Sequence, residues 1–284
     1  MDSEGKRIHG FQWKVKKKML GELYNPKGLA LETAKAVLEV EHPLAVNVAL
    51  GCTNNCSYCY VPLSTKTPKG KMRLPKQSPK ELVKKQIEKH LAKHPLALLN
   101  QFIEGVFISF CTDPFLPENR QNTDDLIHYL QWEQPHRPKI ATLSKMGVSM
   151  ENIGLLHGVT LVSLDEKFHE TFEPRALPPN DRLRALCYAN RKGDDTWISL
   201  EPYPCSAIWK QSLSKLLEEI VFWAKPSLII FGKWNYDKRA NTEEAKKEYG
   251  EYIETLTDFC TGHHIRLHVK SETLEFASKE FPKV

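Results

Sequence analysis

No apolar run in this chain approaches the roughly 20 residues needed to cross a bilayer. The N-terminal stretch MDSEGKRIHGFQWKVKKKML lacks the apolar centre of a signal peptide. A soluble, cytoplasmic protein with no membrane partner is the expectation. Internal repeats and low-complexity tracts are absent too, which excludes solenoids and repeat arrays. Cysteine is sparse and odd in number, seven in 284 residues. A chain of this length needs no disulfide staples, and cytosolic thiols stay reduced. Three of the seven fall within eight residues, while Cys111, Cys187, Cys205 and Cys260 are scattered and contain no C-x-x-C pair. The clustering points to a metal or cluster site, and the scatter gives little support to a second one.

Charge is present but local. Between Lys66 and Lys93 ten Lys/Arg face only Glu81 and Glu88, a net of +8 in a chain of net +5, so the remainder carries −3. Such a run is either a solvated loop and helix face or a surface for a phosphate-bearing partner such as nucleic acid. Few aromatics sit among these lysines, which weakens a single-strand stacking reading.

Short apolar runs alternate with helical patterns. The runs cover residues 44–50, 105–110, 138–143, 159–164, 196–200, 227–231 and 265–269, are rich in Val and Ile, and read as strands buried on both faces. Helix candidates cover 78–93, 123–132, 149–156, 179–191, 206–224 and 242–260. The alternation predicts right-handed βαβ units. The fold class is therefore α/β, a partial (β/α)6-type or near-complete TIM-like parallel barrel over residues 44–284, with an N-terminal extension over 1–43. Chemistry in such barrels gathers at the C-terminal ends of the strands. Those positions here hold residues 51–60, 111–117, 144–145, 165–166, 201–205, 232–235 and 270–272.

The first of these stretches is Gly51-Cys52-Thr53-Asn54-Asn55-Cys56-Ser57-Tyr58-Cys59-Tyr60. In C-x-x-x-C-x-x-C, three soft thiolates from Cys52, Cys56 and Cys59 suit three irons of a [4Fe–4S] cubane and leave the fourth open. Zinc would want a fourth ligand, and the only adjacent His pair, His263 and His264, is distant in sequence. A thioredoxin-like Cys56-x-x-Cys59 would leave Cys52 unexplained.

The motif resembles that of the radical S-adenosylmethionine (radical SAM) enzymes, including the aromatic Tyr58 before the third cysteine. Within that family the chain looks most like the spore photoproduct lyase group. Tyr58-Cys59-Tyr60, Phe110-Cys111-Thr112-Asp113-Pro114, Thr142 to Lys145, and Phe172-Glu173-Pro174-Arg175 with Arg182-Leu183 carry the likeness. The resemblance implies a [4Fe–4S] cluster and S-adenosylmethionine as cofactors. It also implies a reducing partner such as flavodoxin or ferredoxin, lyase or other radical chemistry, and a substrate that includes nucleic acid among its candidates. The family's usual Gly-Gly-Glu after the second strand is missing, and Thr112 and Asp113 take its place as acceptors for the methionine ammonium. Leu200-Glu201-Pro202 likewise replaces a Gly-rich adenine-binding pattern.

The resemblance and the barrel rule together nominate further residues, each with a plainer reading beside it. Tyr58 lies against the adenine or is a packed core aromatic. Lys145 pairs with the methionine carboxylate or is solvated. Glu173 and Arg175 pair, contact ribose hydroxyls, or form a surface pair. Glu201 binds ribose or substrate, or is a rim salt bridge. Cys111 is the candidate hydrogen-atom donor or a small buried residue, with Tyr60 the second catalytic candidate and Cys205 a partner for either. Cys187 and Cys260 read as core. Two alternatives from other classes are a non-catalytic iron–sulfur electron carrier or sensor and a zinc-stabilised nucleic-acid-binding module.

Overall fold

Short β-branched runs with no polar face have to be covered on both sides, and the computed structural model, which describes residues 20–91, 102, 104–134 and 137–277, shows how. In chain order the strands are β1 (Leu23–Tyr24), β2 (Leu44–Val46), β3 (Leu50–Gly51), β4 (Met72–Arg73), β5 (Val106–Ile108), β6 (Ile140–Ser144), β7 (Leu156–Thr160), β8 (Asp195–Tyr203), β9 (Leu228–Lys233) and β10 (Arg266–Val269). The helices are α1 (Leu29–Leu38), α2 (Val61–Thr65), α3 (Pro79–Leu91), α4 (Arg120–Trp132), α5 (Glu166–Phe172), α6 (Pro179–Arg191), α7 (Leu213–Ala224), α8 (Glu243–Gly262) and α9 (Ser271–Ala277).

One sheet runs β1-β2-β5-β6-β7-β8-β9-β10. Seven of its strands are parallel, and β1 pairs antiparallel with β2, Leu23 opposite Val46. Among the described residues β1 and β10 are its two edges, so the barrel is open. The parallel α/β barrel expected from the sequence is the architecture observed.

Two apolar clusters cover the outside. Val83 and Ile87 of α3 and Leu126, Ile127 and Leu130 of α4 pack on β2, β5 and β6. Helices α6, α7 and α8 cover β7 to β10. The inside is filled by α1. Its Ala34, Val37 and Leu38 join Ala45, Phe107, Ala141, Trp197, Leu228 and Ile230 in one cluster. The opposite flank of α1 is tied to β10 by polar contacts. Lys270 Nζ donates to the Leu29 carbonyl at 2.9 Å, His268 Nε2 meets Glu32 Oε1 at 2.9 Å, and Arg266 Nη2 meets Glu39 at 3.1 Å. Residues 20–43 are thus built into the barrel, while 1–19 of the expected extension lie outside the described residues.

Three element expectations are corrected. Residues 149–156 form no helix: Ser149 and Asn152 turn inward to bond Asp124, and β7 begins at Leu156. The strand expected at 159–164 therefore lies at 156–160. Helix α7 starts at Leu213 instead of 206, where Ser212 caps it by accepting from Lys215 N. No helix among the described residues is long and apolar enough to cross a membrane.

Candidate functional site

Strand β2 delivers the chain to Gly51 at the C-terminal end of the sheet, and the cysteine loop follows. Gly51 pairs with Met72 across the small β3–β4 ladder, so residues 61–71 fold back over the cysteines. The approach is close. Gly51 sits at φ +91°, and a Cβ there would come within 2.3 Å of the Lys71 carbonyl oxygen, so only glycine fits. Cys52, Cys56 and Cys59 line one open concavity, walled on the other side by Thr67, Pro68, Lys69 and Gly70. Cys56 is buried and the other two are half-buried. Burial pushes the Cys52 and Cys56 thiols up to about 12, and the Asp113 charge adds to the rise at Cys52. Among the described residues no three Cys, His, Asp or Glu converge closely enough to hold a single metal ion. The three thiols face a space and not a point, and the amide oxygen of Asn54, two residues from Cys52, is buried with no hydrogen-bond partner. That donor set suits an iron–sulfur cluster.

The loop is anchored to the neighbouring strand ends. Gly51 N donates to the Cys111 carbonyl at 2.9 Å. The Asp113 carboxylate accepts from Asn54 Nδ2 (3.1 Å), Phe115 N (3.1 Å), Ser144 Oγ (2.7 Å) and Lys145 N (2.6 Å). Asp113 therefore binds the cysteine loop, the turn after β5 and the end of β6 to one another. Its acceptor sites are filled from within the protein, and of the Thr112–Asp113 pair the neighbouring Thr112 hydroxyl is the less committed, lying 3.7 Å from Met72 Sδ. Asn47 plays a similar part beneath, accepting from both Phe110 N and Cys111 N at 3.0 Å.

A second group lies between α5 and the cysteines. Tyr58 OH donates to Glu173 Oε1 by a short hydrogen bond, Arg182 Nη2 meets Glu173 Oε2 at 2.5 Å, and Lys145 Nζ lies 3.8 Å from Glu173 Oε1 and 5.3 Å from the centre of the Tyr58 ring. Burial opposes ionisation of Glu173, but the Lys145 and Arg182 cations prevail and hold its carboxyl below the ordinary range. Burial and the Glu173 charge push the Tyr58 phenol up, so it stays protonated and donates. Trp234 packs edge-on against Tyr58 at 4.8 Å. The expected Glu173–Arg175 pair is not formed. Arg175 is exposed, and the buried Arg182 holds the carboxylate instead.

The third group rims the barrel mouth. Cys111 is buried, and Tyr60 reaches back across the loop to donate from its hydroxyl to the carbonyl of Phe110 at 2.5 Å, bringing the two catalytic candidates to adjacent residues. Glu201 emerges from β8 directly over Gly232 of β9, where a Cβ would lie 2.7 Å from the Glu201 Cγ. Burial raises the Glu201 carboxyl against the pull of Lys270, whose Nζ is 4.0 Å away. Cys205 is buried with its thiol 3.8 Å from the Arg239 carbonyl, and Cys260 sits in the core of α8. No disulfide is formed.

With its three cysteines on the loop after the first parallel strand, the chain has an open parallel α/β barrel fold. Two kinds of solved structure share it. Spore photoproduct lyase complexed with dinucleoside spore photoproduct superposes with a TM-score of 0.58 at 15% identity, over 80% of this chain and 76% of that one. A mutant of the same enzyme with bound AdoMet and the dinucleoside gives 0.57 at 14%, over the same shares. Streptococcus suis SuiB bound to S-adenosylmethionine gives 0.56 at 14%, over 84% of this chain and 54% of that one. In sequence, the uncharacterized protein ORF301 of Acidianus two-tailed virus is 25% identical over 242 residues, 77% of this chain and 73% of that one. No family model matches the chain.

Proposed function

We propose that this chain is a radical SAM enzyme of the cytoplasm that carries a [4Fe–4S] cluster on Cys52, Cys56 and Cys59. The observation that carries the reading is one concavity lined by all three cysteines at the C-terminal end of the first parallel strand of an open barrel. Cluster and S-adenosylmethionine, when bound together, supply reductive cleavage of the sulfonium to methionine and a 5′-deoxyadenosyl radical that abstracts hydrogen from substrate. The protein's part is to position both and exclude water.

The roles follow from where each side chain lies. Thr112 offers its hydroxyl to the methionine ammonium, and Asp113 acts at one remove by fixing the loop. Lys145, ion-paired with Glu173 at 3.8 Å, has further N–H donors to offer the methionine carboxylate. Tyr58 presents its ring toward the adenosine while Glu173 and Arg182 hold its hydroxyl side. Glu201, kept partly desolvated at the mouth, takes a ribose or substrate hydroxyl. Cys111 is the hydrogen-atom donor beside Tyr60, and flavodoxin or ferredoxin supplies the electron. A nucleic-acid substrate is supported by the shared architecture with an enzyme solved with a dinucleoside bound.

Anaerobic reconstitution with iron and sulfide, followed by dithionite and S-adenosylmethionine, tests the reading by the release of 5′-deoxyadenosine. A protein that loads its cluster fully and releases no nucleoside is not a radical SAM enzyme. Purified protein that holds zinc and takes up no iron supports the zinc-stabilised module instead.

A further inference from the structure

The basic stretch set apart by the sequence divides in two. Its second part, as far as Lys89, lies on α3, an outer helix whose Lys80 pairs with Glu133 of the segment after α4 at 2.7 Å, and Lys93 lies outside the described residues. Its first part, residues 66–76, is placed differently. Thr67 to Gly70 line the concavity of the three cysteines, and Pro68 and Lys69 among them are exposed on the outer side. A single layer of chain thus separates the thiols from bulk water here. The layer is held to the cysteine loop itself: Lys69 Nζ donates to the carbonyl of Ser57, between Cys56 and Cys59, at 3.3 Å.

The outer side of this wall is strongly and singly charged. Lys66, Lys71, Arg73 and Lys76 are all exposed, and among the described residues none of them forms an ion pair. Two leucines stand among them, Leu63 at 71% exposure and Leu74 at 43%. Unneutralised cations around exposed apolar side chains are the makings of a docking face for an acidic protein, which they would steer in over a Debye length of about 8–10 Å. No Phe, Tyr or Trp occurs between residues 61 and 77, so the stacking platforms that hold single-stranded nucleic acid are missing.

We infer that the ridge of residues 63–76 docks an acidic one-electron donor protein carrying its own flavin or iron–sulfur centre, and that the electron enters through this wall. The inference rests on the proposed radical SAM reading and adds to it where the reductant binds. In the step, one electron leaves the donor's reduced centre, which is thereby oxidised, and is taken up by the oxidised metal centre behind the wall. No atom or proton is transferred.

The test compares the full chain with a Lys66→Glu/Lys71→Glu/Arg73→Glu/Lys76→Glu variant and, as a control on the other half of the basic stretch, Lys85→Glu/Lys89→Glu. The probes are a flavodoxin, a plant-type ferredoxin and a short single-stranded DNA oligonucleotide, with affinity read by titration calorimetry at low and high salt. The wild-type chain should bind at least one of the two donors with an affinity that falls as salt rises. The ridge variant should bind it at least tenfold more weakly, while the control variant and the oligonucleotide affinity are unchanged. Equal donor affinity in wild type and ridge variant overturns the inference, as does the absence of salt-dependent binding to either donor. Loss of oligonucleotide binding with donor binding intact assigns the ridge to nucleic acid and also overturns it. Dithionite-driven 5′-deoxyadenosine release bypasses the ridge, so its failure in the wild type strikes the radical SAM reading and not this one.

Discussion

Four donors from three segments converge on the Asp113 carboxylate, and two cations and a phenol converge on Glu173. At Asp113 an amide cannot accept all four hydrogen bonds, so Asp113→Asn turns its NH2 toward another donor. Each buried group left unpaired costs about 1–3 kcal/mol, and the expected result is a lower denaturation midpoint together with poorer retention of iron on desalting. Glu173→Ala leaves the Arg182 guanidinium buried without its counter-charge and should cost about 3–5 kcal/mol in urea unfolding. Arg175→Ala should stay within about 0.5 kcal/mol of wild type, as for other exposed positions. Equal effects at the two arginines would contradict the assignment. The difference between them was partly legible. Arg175 is near Glu173 in sequence, but Arg182 falls on the same stripe of α6 as Leu183, Leu186 and Ala189, and an arginine in an apolar stripe demands a buried partner. What no window of sequence shows is that the partner lies in the preceding turn.

Among elements, those whose burial follows from their own pattern are the ones a sequence reveals. Strands β2, β5, β9 and β10 and helix α6 lie where apolar periodicity places them. Strand β7 does not, because it carries His157 inside, a polar residue whose Nδ1 meets the hydroxyl of Thr142 on the neighbouring strand at 3.3 Å, while its Nε2 is buried without a hydrogen-bond partner. Burial lowers the His157 imidazole to about 4, so it is neutral in that core. Helix α1 is the larger surprise, since its function is to fill an open barrel whose openness only the assembled sheet defines. Its polar flank makes a testable latch. Glu32 accepts from His268, from Ser271 N at 2.8 Å and from Ser271 Oγ at 3.0 Å. Burial opposes its ionisation, but these hydrogen bonds with the Lys270 and His268 charges bring the carboxyl down to about 2 from an ordinary 4.5. A depressed carboxyl stabilises the fold in full above its unfolded value and loses that contribution as pH falls through its folded value. The stability gap between wild type and Glu32→Gln should therefore be present at pH 6 and shrink steadily from about 4.5 toward 2. A gap that stays constant over that range would show that the latch is not carried by the Glu32 charge.

Over the whole molecule, the cysteine loop depends on parts of the chain far from itself. It hangs from β5 through Gly51 and Cys111, from the turn after β5 through Asn54 and Asp113, and from α5 through Ser57 N to the Phe172 carbonyl at 2.8 Å and Tyr58 to Glu173. The spacing of Cys52, Cys56 and Cys59 is legible in eight residues, but the orientation of their thiols is set by contacts spanning more than a hundred. An unfolded chain keeps the three cysteines and loses the concavity, so a cluster bound there stabilises the native state alone. Binding at a hundredfold excess over its dissociation constant contributes about 2.7 kcal/mol. For a chain of this size that corresponds to a rise in Tm of about 4–5 °C. Anaerobic loading with iron and sulfide should produce that rise in the wild type. Cys56→Ala should abolish it, and Cys205→Ala, whose thiol points to the Arg239 carbonyl, should keep it. Asp113→Asn is the discriminating case, because it leaves every thiol in place and loosens only what aims them. A rise that is reduced in Asp113→Asn shows that the distant strand ends shape the site, and an undiminished rise shows that eight residues suffice.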